Sequence, residues 1–283
     1  MGFFDSFEKK RDFLVCVDSD GCAMDTMNCK HFYCFGPCMV DEWELNEWRS
    51  EILERWNDIN LFQTTRGINR FKGLAMALSE INEKYTRIPG IETFSEWCAT
   101  THALSMQALS EAIGKAPEGE GRLCLTKALD WSRSVNEKIN TLPEKVKIPF
   151  EGAFEGLEYA HTLADVAVVS SANREAVVEE WEKFGLLAHT DVTLTQDVGS
   201  KAFCIGEMLK LGYEKQKTLM VGDAIGDLDA AKQNGVYFFP ILPTKEKESW
   251  KELCDTALQK LLDGSYGGEY QEKKIADFMA NFK

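Results

Sequence analysis

Apolar and polar positions follow two different periods along this chain. The run DFLVCVD (12–18) is apolar between its two acids, the pattern of a central parallel strand. From about residue 40 to 142 the spacing becomes helical. Leu45, Trp48, Ile52 and Trp56 recur at three and four positions and predict one face of a helix. Further helices are predicted over 70–83, 92–114 and 121–141, separated by the turn chemistry of TRIPG and GKAPEGEG. After PEKVKIPFEG the pattern alternates. A helix near 153–163 leads into the strand ADVAVVS (164–170), then the helix REAVVEEWEKFG and the strand DVTLTQ. A helix over 201–211, the strand KTLMVGD (217–223), a helix near 227–234 and the strand VYFFPI follow.

Strand and helix in alternation predict a parallel sheet covered on both faces. The fold class is therefore α/β: a Rossmann-like parallel sheet core with an inserted all-helical domain. Residues 1–25 and 146–283 are assigned to the core and 26–145 to a helical cap.

Charge narrows the partners. Lys and Arg number 32 against 46 Asp and Glu, a net charge of −14, which argues against nucleic acid and anionic membranes as partners. No apolar run approaches the ~20 residues of a membrane helix. No basic segment followed by an apolar one opens the chain, so the nine cysteines read as reduced thiols of a cytoplasmic protein. The opening MGFFDS loosely fits a myristoylation pattern at Gly2 and Ser6, but no basic cluster supports an anchor. Cys29, His31, Cys34 and Cys38 are zinc-competent types at a spacing that matches no strong finger pattern, and buried thiols are the plainer reading.

Ligands of an open parallel sheet collect at the carboxyl ends of its strands. There the first strand presents Asp18 and Asp20, the second Ser170 and Ser171, and the fourth Asp223, with Asp227 four residues on. Lys201 opens the helix after the third. Each residue alone has an ordinary explanation as a helix cap. Together they form an acid cluster that would repel itself unless neutralised, and Mg2+ is the natural partner of all-oxygen donors.

These residues carry a family resemblance. DSDGCAMD, VAVVSSAN, the lysine opening SKAFCIGEMLK, and MVGDAIGDLDAA resemble the four successive motifs of the haloacid dehalogenase superfamily. IPFEGAFEGLEYAHTLADVAVVSSAN is similar to the re-entry helix and second strand of members whose helical cap follows the first motif. TRGINRFKGLAMAL (65–78) resembles the cap loop of β-phosphoglucomutase-like members, in which a glycine loop with an arginine starts a cap helix.

The resemblance implies a phosphoric monoester hydrolase acting on a small phosphorylated metabolite. Asp18 is the implied nucleophile, forming an aspartyl phosphate, and Asp20 the acid and base. Asp18, the Asp20 carbonyl, Asp223 and Asp227 would hold Mg2+. Lys201, Ser170, and backbone N–H groups near Gly21 and Ser171 would face the phosphoryl oxygens. In the cap, Arg66, Arg70 and Lys72 oppose the dipole of the helix they start, which singles out Arg70 as a substrate contact. Trp43, Trp48 and Trp56 read as cap core. The chain departs from the family pattern in having Cys22 where threonine is usual, and no proline after Lys201; Lys210 and Lys215 are the alternatives to that lysine. The same core residues also fit a sugar phosphomutase, and the two departures fit a catalytically weak binding protein. The sequence leaves the substrate and the oligomeric state open.

Overall fold

A computed structural model of the chain describes Phe4 and residues 7–283; Gly2 and Ser6 lie outside the described residues. Five strands form one parallel sheet: β1 (Leu14–Val17), β2 (Asp165–Val169), β3 (Val192–Leu194), β4 (Thr218–Gly222) and β5 (Tyr237–Pro240), in the order β3-β2-β1-β4-β5. Residues of β1, β2 and β4 are buried throughout, because helices cover both faces. Alternate side chains serve alternate faces. Val15, Val17, Val166, Val168, Leu219 and Val221 pack with Leu157, Trp181 and Trp250. Leu14, Cys16, Ala167, Val169 and Met220 pack with Ile205, Met208, Leu228 and Phe278 on the other face.

The strand order fixes where a site can form. From β1 the chain passes to β2 and β3 on one side, then crosses back to β4 and β5 on the other. This reversal opens a crevice beyond the carboxyl ends of β1 and β4. The register sets Val17 beside both Val168 and Val221, so Asp18 leaves the sheet level with the end of β4.

By its contacts the chain divides into two compact units, one formed by residues through Met27 with Glu144–Lys283, the other by Asn28–Pro143. The second unit contains only helices and turns among its described elements. Its core joins Trp56, Phe71, Leu74, Leu78, Phe94, Leu125 and Trp131, with Trp43 buried and Trp48 packed on its margin. The expected helix over 92–114 is two helices, Ile91–Thr100 and Met106–Lys115. Ser105, in extended backbone, accepts from the Ala108 N–H at 3.2 Å and so starts the second helix as its cap. Beyond β5, a segment the apolar pattern left unassigned forms the helices Glu246–Glu252, Leu258–Asp263 and Glu269–Ala280.

Candidate active site

The loop after β1 is built around one carbonyl. Ser19 O accepts from the N–H groups of Cys22 (3.2 Å), Ala23 (3.0 Å) and Met24 (2.9 Å), while the Gly21 N–H returns to Met24 O at 2.8 Å. That closure places Gly21 at φ +86°, where a side chain would be strained. Asp18 is buried and tied to the sheet by its N–H on Val221 O (3.0 Å). Asp20 is half-buried, and the Thr26 hydroxyl donates to its Oδ1. Thr26 was not among the residues singled out by sequence; its signal is a hydroxyl six positions after the second aspartate.

Asp223 follows β4 directly, and the helix Ile225–Asn234 begins two residues later. Asp227, fully buried, turns back toward the strand: its Oδ2 accepts from Asp223 N (3.2 Å) and Ala224 N (3.0 Å). Lys201 starts its helix after the Ser200 cap, and Asn234 secures that first turn by donating to Ala202 O at 2.9 Å. Its ammonium lies 2.8 Å from Asp18 Oδ1 and 2.6 Å from Asp227 Oδ1. Lys210 pairs instead with Glu207 at 2.5 Å, and Lys215 is exposed.

Burial pushes the Asp18 carboxyl well above the usual carboxylate range; Lys201 pulls it back, and Asp227 and Asp223 raise it again. Burial alone would lower the Lys201 ammonium, but Asp18 and Asp227 outweigh it and hold the lysine charged. Cys22 is fully buried, and burial together with Asp223, Asp18 and Asp227 keeps it a thiol; its Sγ reaches Val221 O at 3.6 Å.

Asp18, Asp223 and Asp227 each offer an oxygen within 4.8 Å of the others, and among the described residues they are the one such group of three or more ligand types. Three buried acids and one ammonium thus form a buried, oxygen-rich cluster. That oxygen donor set fits a hard dication. At Cys29 to Cys38 the surroundings differ: His31 Nδ1 accepts from the Trp56 indole at 3.1 Å and its ring stacks on Phe35 at 4.7 Å. Cys29, Cys34 and Cys38 are buried.

Ser170, at the end of β2, donates its N–H to Leu194 O (2.9 Å), and its hydroxyl oxygen accepts from the Ala172 N–H (3.2 Å). Ser171 is exposed on the same turn. Arg70 belongs to the helical unit. There it donates to Ser132 Oγ (3.2 Å) and Asn136 Oδ1 (2.7 Å) and stands over the Phe35 ring at 5.0 Å. Burial lowers its pKa. Arg66 is buried and donates to Leu61 O at 2.9 Å, whereas Lys72 is exposed.

The molecule is thus an α/β protein with buried carboxylates and a lysine at the switch point of a parallel sheet. Residues 68–241 match the family described as haloacid dehalogenase-like hydrolase, and the chain belongs to that family. The match includes Lys201, Asp223 and Asp227 and begins after Asp18 and Asp20. No curated protein matches the chain. Among solved structures, a Lactobacillus delbrueckii subsp. bulgaricus protein provisionally named a phosphoglycolate phosphatase is similar at TM-score 0.52 and 15% identity, over 92% of this chain and 100% of that one. A hydrolase from Pseudomonas syringae gives TM-score 0.47 at 14% identity, over 85% and 90% of the two chains. At such identities the likeness concerns the fold alone.

Proposed function

We propose that the protein is a Mg2+-dependent phosphatase that hydrolyses a small phosphorylated metabolite through an aspartyl phosphate on Asp18. The observation that carries this reading is the lysine bridge. Lys201 joins Asp18 to Asp227 beside Asp223, at the ends of the two central strands. Asp18 is fixed at its backbone and at one oxygen, which orients the carboxylate for in-line attack on phosphorus. The P–O bond to the leaving alcohol breaks as the Asp18–phosphorus bond forms. Asp20, held by Thr26 but reachable by solvent, gives its proton to that alcohol and then takes one from the water that hydrolyses the acyl phosphate. Asp18, the Asp20 carbonyl and Asp223 would hold Mg2+, with Asp227 binding directly or through water. Once bound, the ion supplies positive charge that screens Asp18 from the phosphate and stabilises the transferred group.

Lys201, the Ser170 hydroxyl, and N–H groups near Gly21 and Ser171 face the remaining oxygens in this scheme. Arg70 serves as a substrate contact, because its partners Ser132, Asn136 and Phe35 are neutral and leave its charge for an anionic or hydroxyl-rich group. The acidic surface supports a small molecule over nucleic acid. No helix among the described residues is long and apolar enough to cross a membrane. Mostly buried thiols support a reducing, cytoplasmic setting.

The test is phosphate release from a panel of phosphorylated metabolites with Mg2+, with EDTA, and with Asp18→Asn. Release that needs Mg2+ and vanishes in the variant is expected. Interconversion of sugar phosphates that depends on a bisphosphate, with no release, would replace the phosphatase by a mutase. Binding without turnover would leave a binding protein.

A further inference from the structure

The turn that carries Asp20 is held from outside by two buried indoles. Trp181, in the helix Arg174–Lys183, donates its Nε1–H to Ser19 Oγ at 2.8 Å. Trp250, in the helix Glu246–Glu252, donates its Nε1–H to the Cys22 carbonyl at 3.0 Å. Both rings are buried, at 0% and 1% exposure. Trp250 is seated in a notch made by Gly152 and Gly156; a Cβ on Gly156 would collide with its six-membered ring. The indole therefore has little freedom, and its N–H is aimed.

Fixing the Cys22 carbonyl fixes the Cys22–Ala23 peptide plane, whose N–H points at Ser19 O. The Cys22 thiol does this poorly, since a sulfur donor at 3.6 Å makes a weak bond. Trp250 lies outside the residues that match the family, in the helical segment after β5. Asp18 needs no such help, being tied to β4 and to Lys201.

We infer that Trp250 is a positioning residue for Asp20, acting through the Cys22 carbonyl, with Trp181 securing the other end of the same turn through Ser19. This rests on the reading of Asp20 as the proton donor. The helical segment after β5 thereby takes part in setting the acid, while the nucleophile is held by the sheet and by Lys201.

Trp250→Phe leaves a smaller aromatic ring in the notch and removes the indole N–H together with part of the ring system. Its effect is read on two esters of similar size. p-Nitrophenyl phosphate has a leaving group that departs without a proton, and benzyl phosphate has one that needs it. Because Asp20 also activates the water that hydrolyses the phosphoenzyme, the comparison is made on the first step alone, in a single turnover: release of benzyl alcohol should slow about tenfold and that of p-nitrophenol less than about twofold. Amide exchange at Cys22, Ala23 and Met24 should accelerate at least about tenfold. Ser19→Ala should give the same signature, and it carries the test if the Trp250 variant does not fold. Unaltered exchange overturns the inference, as does an equal loss on both esters. If wild-type protein hydrolyses neither ester, the phosphatase reading has failed. The exchange measurement then decides by itself whether Trp250 holds the turn.

Discussion

Lys201 reaches Asp18 at 2.8 Å from a helix that begins more than 180 residues later in the chain, and the same ammonium touches Asp227 at 2.6 Å. Both carboxylates are buried, so the lysine is their chief compensation within the protein. Lys201→Met should cost about 3 kcal/mol of stability in EDTA, because it leaves two buried acids without their cation. Phosphate release should fall at least about 100-fold. Adding Asp227→Asn should restore part of the stability and none of the activity. Urea denaturation and phosphate release on the single and double variants check both statements.

Gly222 ends β4 with the Asp227 side chain packed over its α-carbon, so a Cβ there would overlap the carboxylate. The strand cannot give way, since it pairs with β1 on one side and β5 on the other. Gly222→Ala should therefore push Asp227 off Lys201, destabilising the fold by about 1–3 kcal/mol and removing most activity. Thermal unfolding alongside phosphate release tests this; an unchanged melting temperature would mean that Asp227 tolerates displacement.

These site acids were legible because a strand buried on both faces can change to polar residues only where it leaves the sheet. Asp18 and Asp223 stand at those exits, and the apolar runs before them announce it. Lys201 was legible for a local reason too, since Ser200 marks a helix start. What stayed hidden depends on chain closure over long separations. Trp181 meets Ser19 across 162 residues and Trp250 meets Cys22 across 228, and a tryptophan in sequence signals burial without naming what its N–H will find. The helix break before Met106 was missed because THALS contains the helix formers Ala and Leu, which masked Ser105 as a cap. After β5 no further strand follows to set the helices off by alternation, although Trp250, Tyr266 and Phe278 are all core residues.

The acid trio should bind a divalent cation in the absence of substrate. Mg2+ at 100 times its dissociation constant should raise stability by about 2.7 kcal/mol, seen as a higher melting temperature that EDTA reverses. Asp223→Asn should abolish that shift, because it removes one of three oxygens lying within 4.8 Å of one another. A shift that survives the substitution would place the ion elsewhere.

The helical unit carries a pH-sensitive pair of its own. Arg55 holds Glu80 in two-pronged fashion, Nε to Oε2 at 2.7 Å and Nη2 to Oε1 at 2.6 Å, linking the helix Arg49–Asn57 to Arg70–Lys84. The Arg55 hydrogen bond lowers the Glu80 carboxyl below its ordinary 4.5; burial opposes this, and the charges of Arg55 and Lys84 add to the lowering. A carboxyl depressed in the folded state stabilises above its unfolded value and loses that contribution as pH falls through the folded one. Side-chain exposures of 36% and 26% let solvent screen the pair, so the contribution is about 0.5 kcal/mol. Wild type should exceed Glu80→Gln by that amount near neutral pH, and the gap should close as the medium is taken below the folded value. Urea denaturation of both proteins across this range measures the gap. A gap that stays constant with pH would mean that the effect does not come from the Glu80 charge.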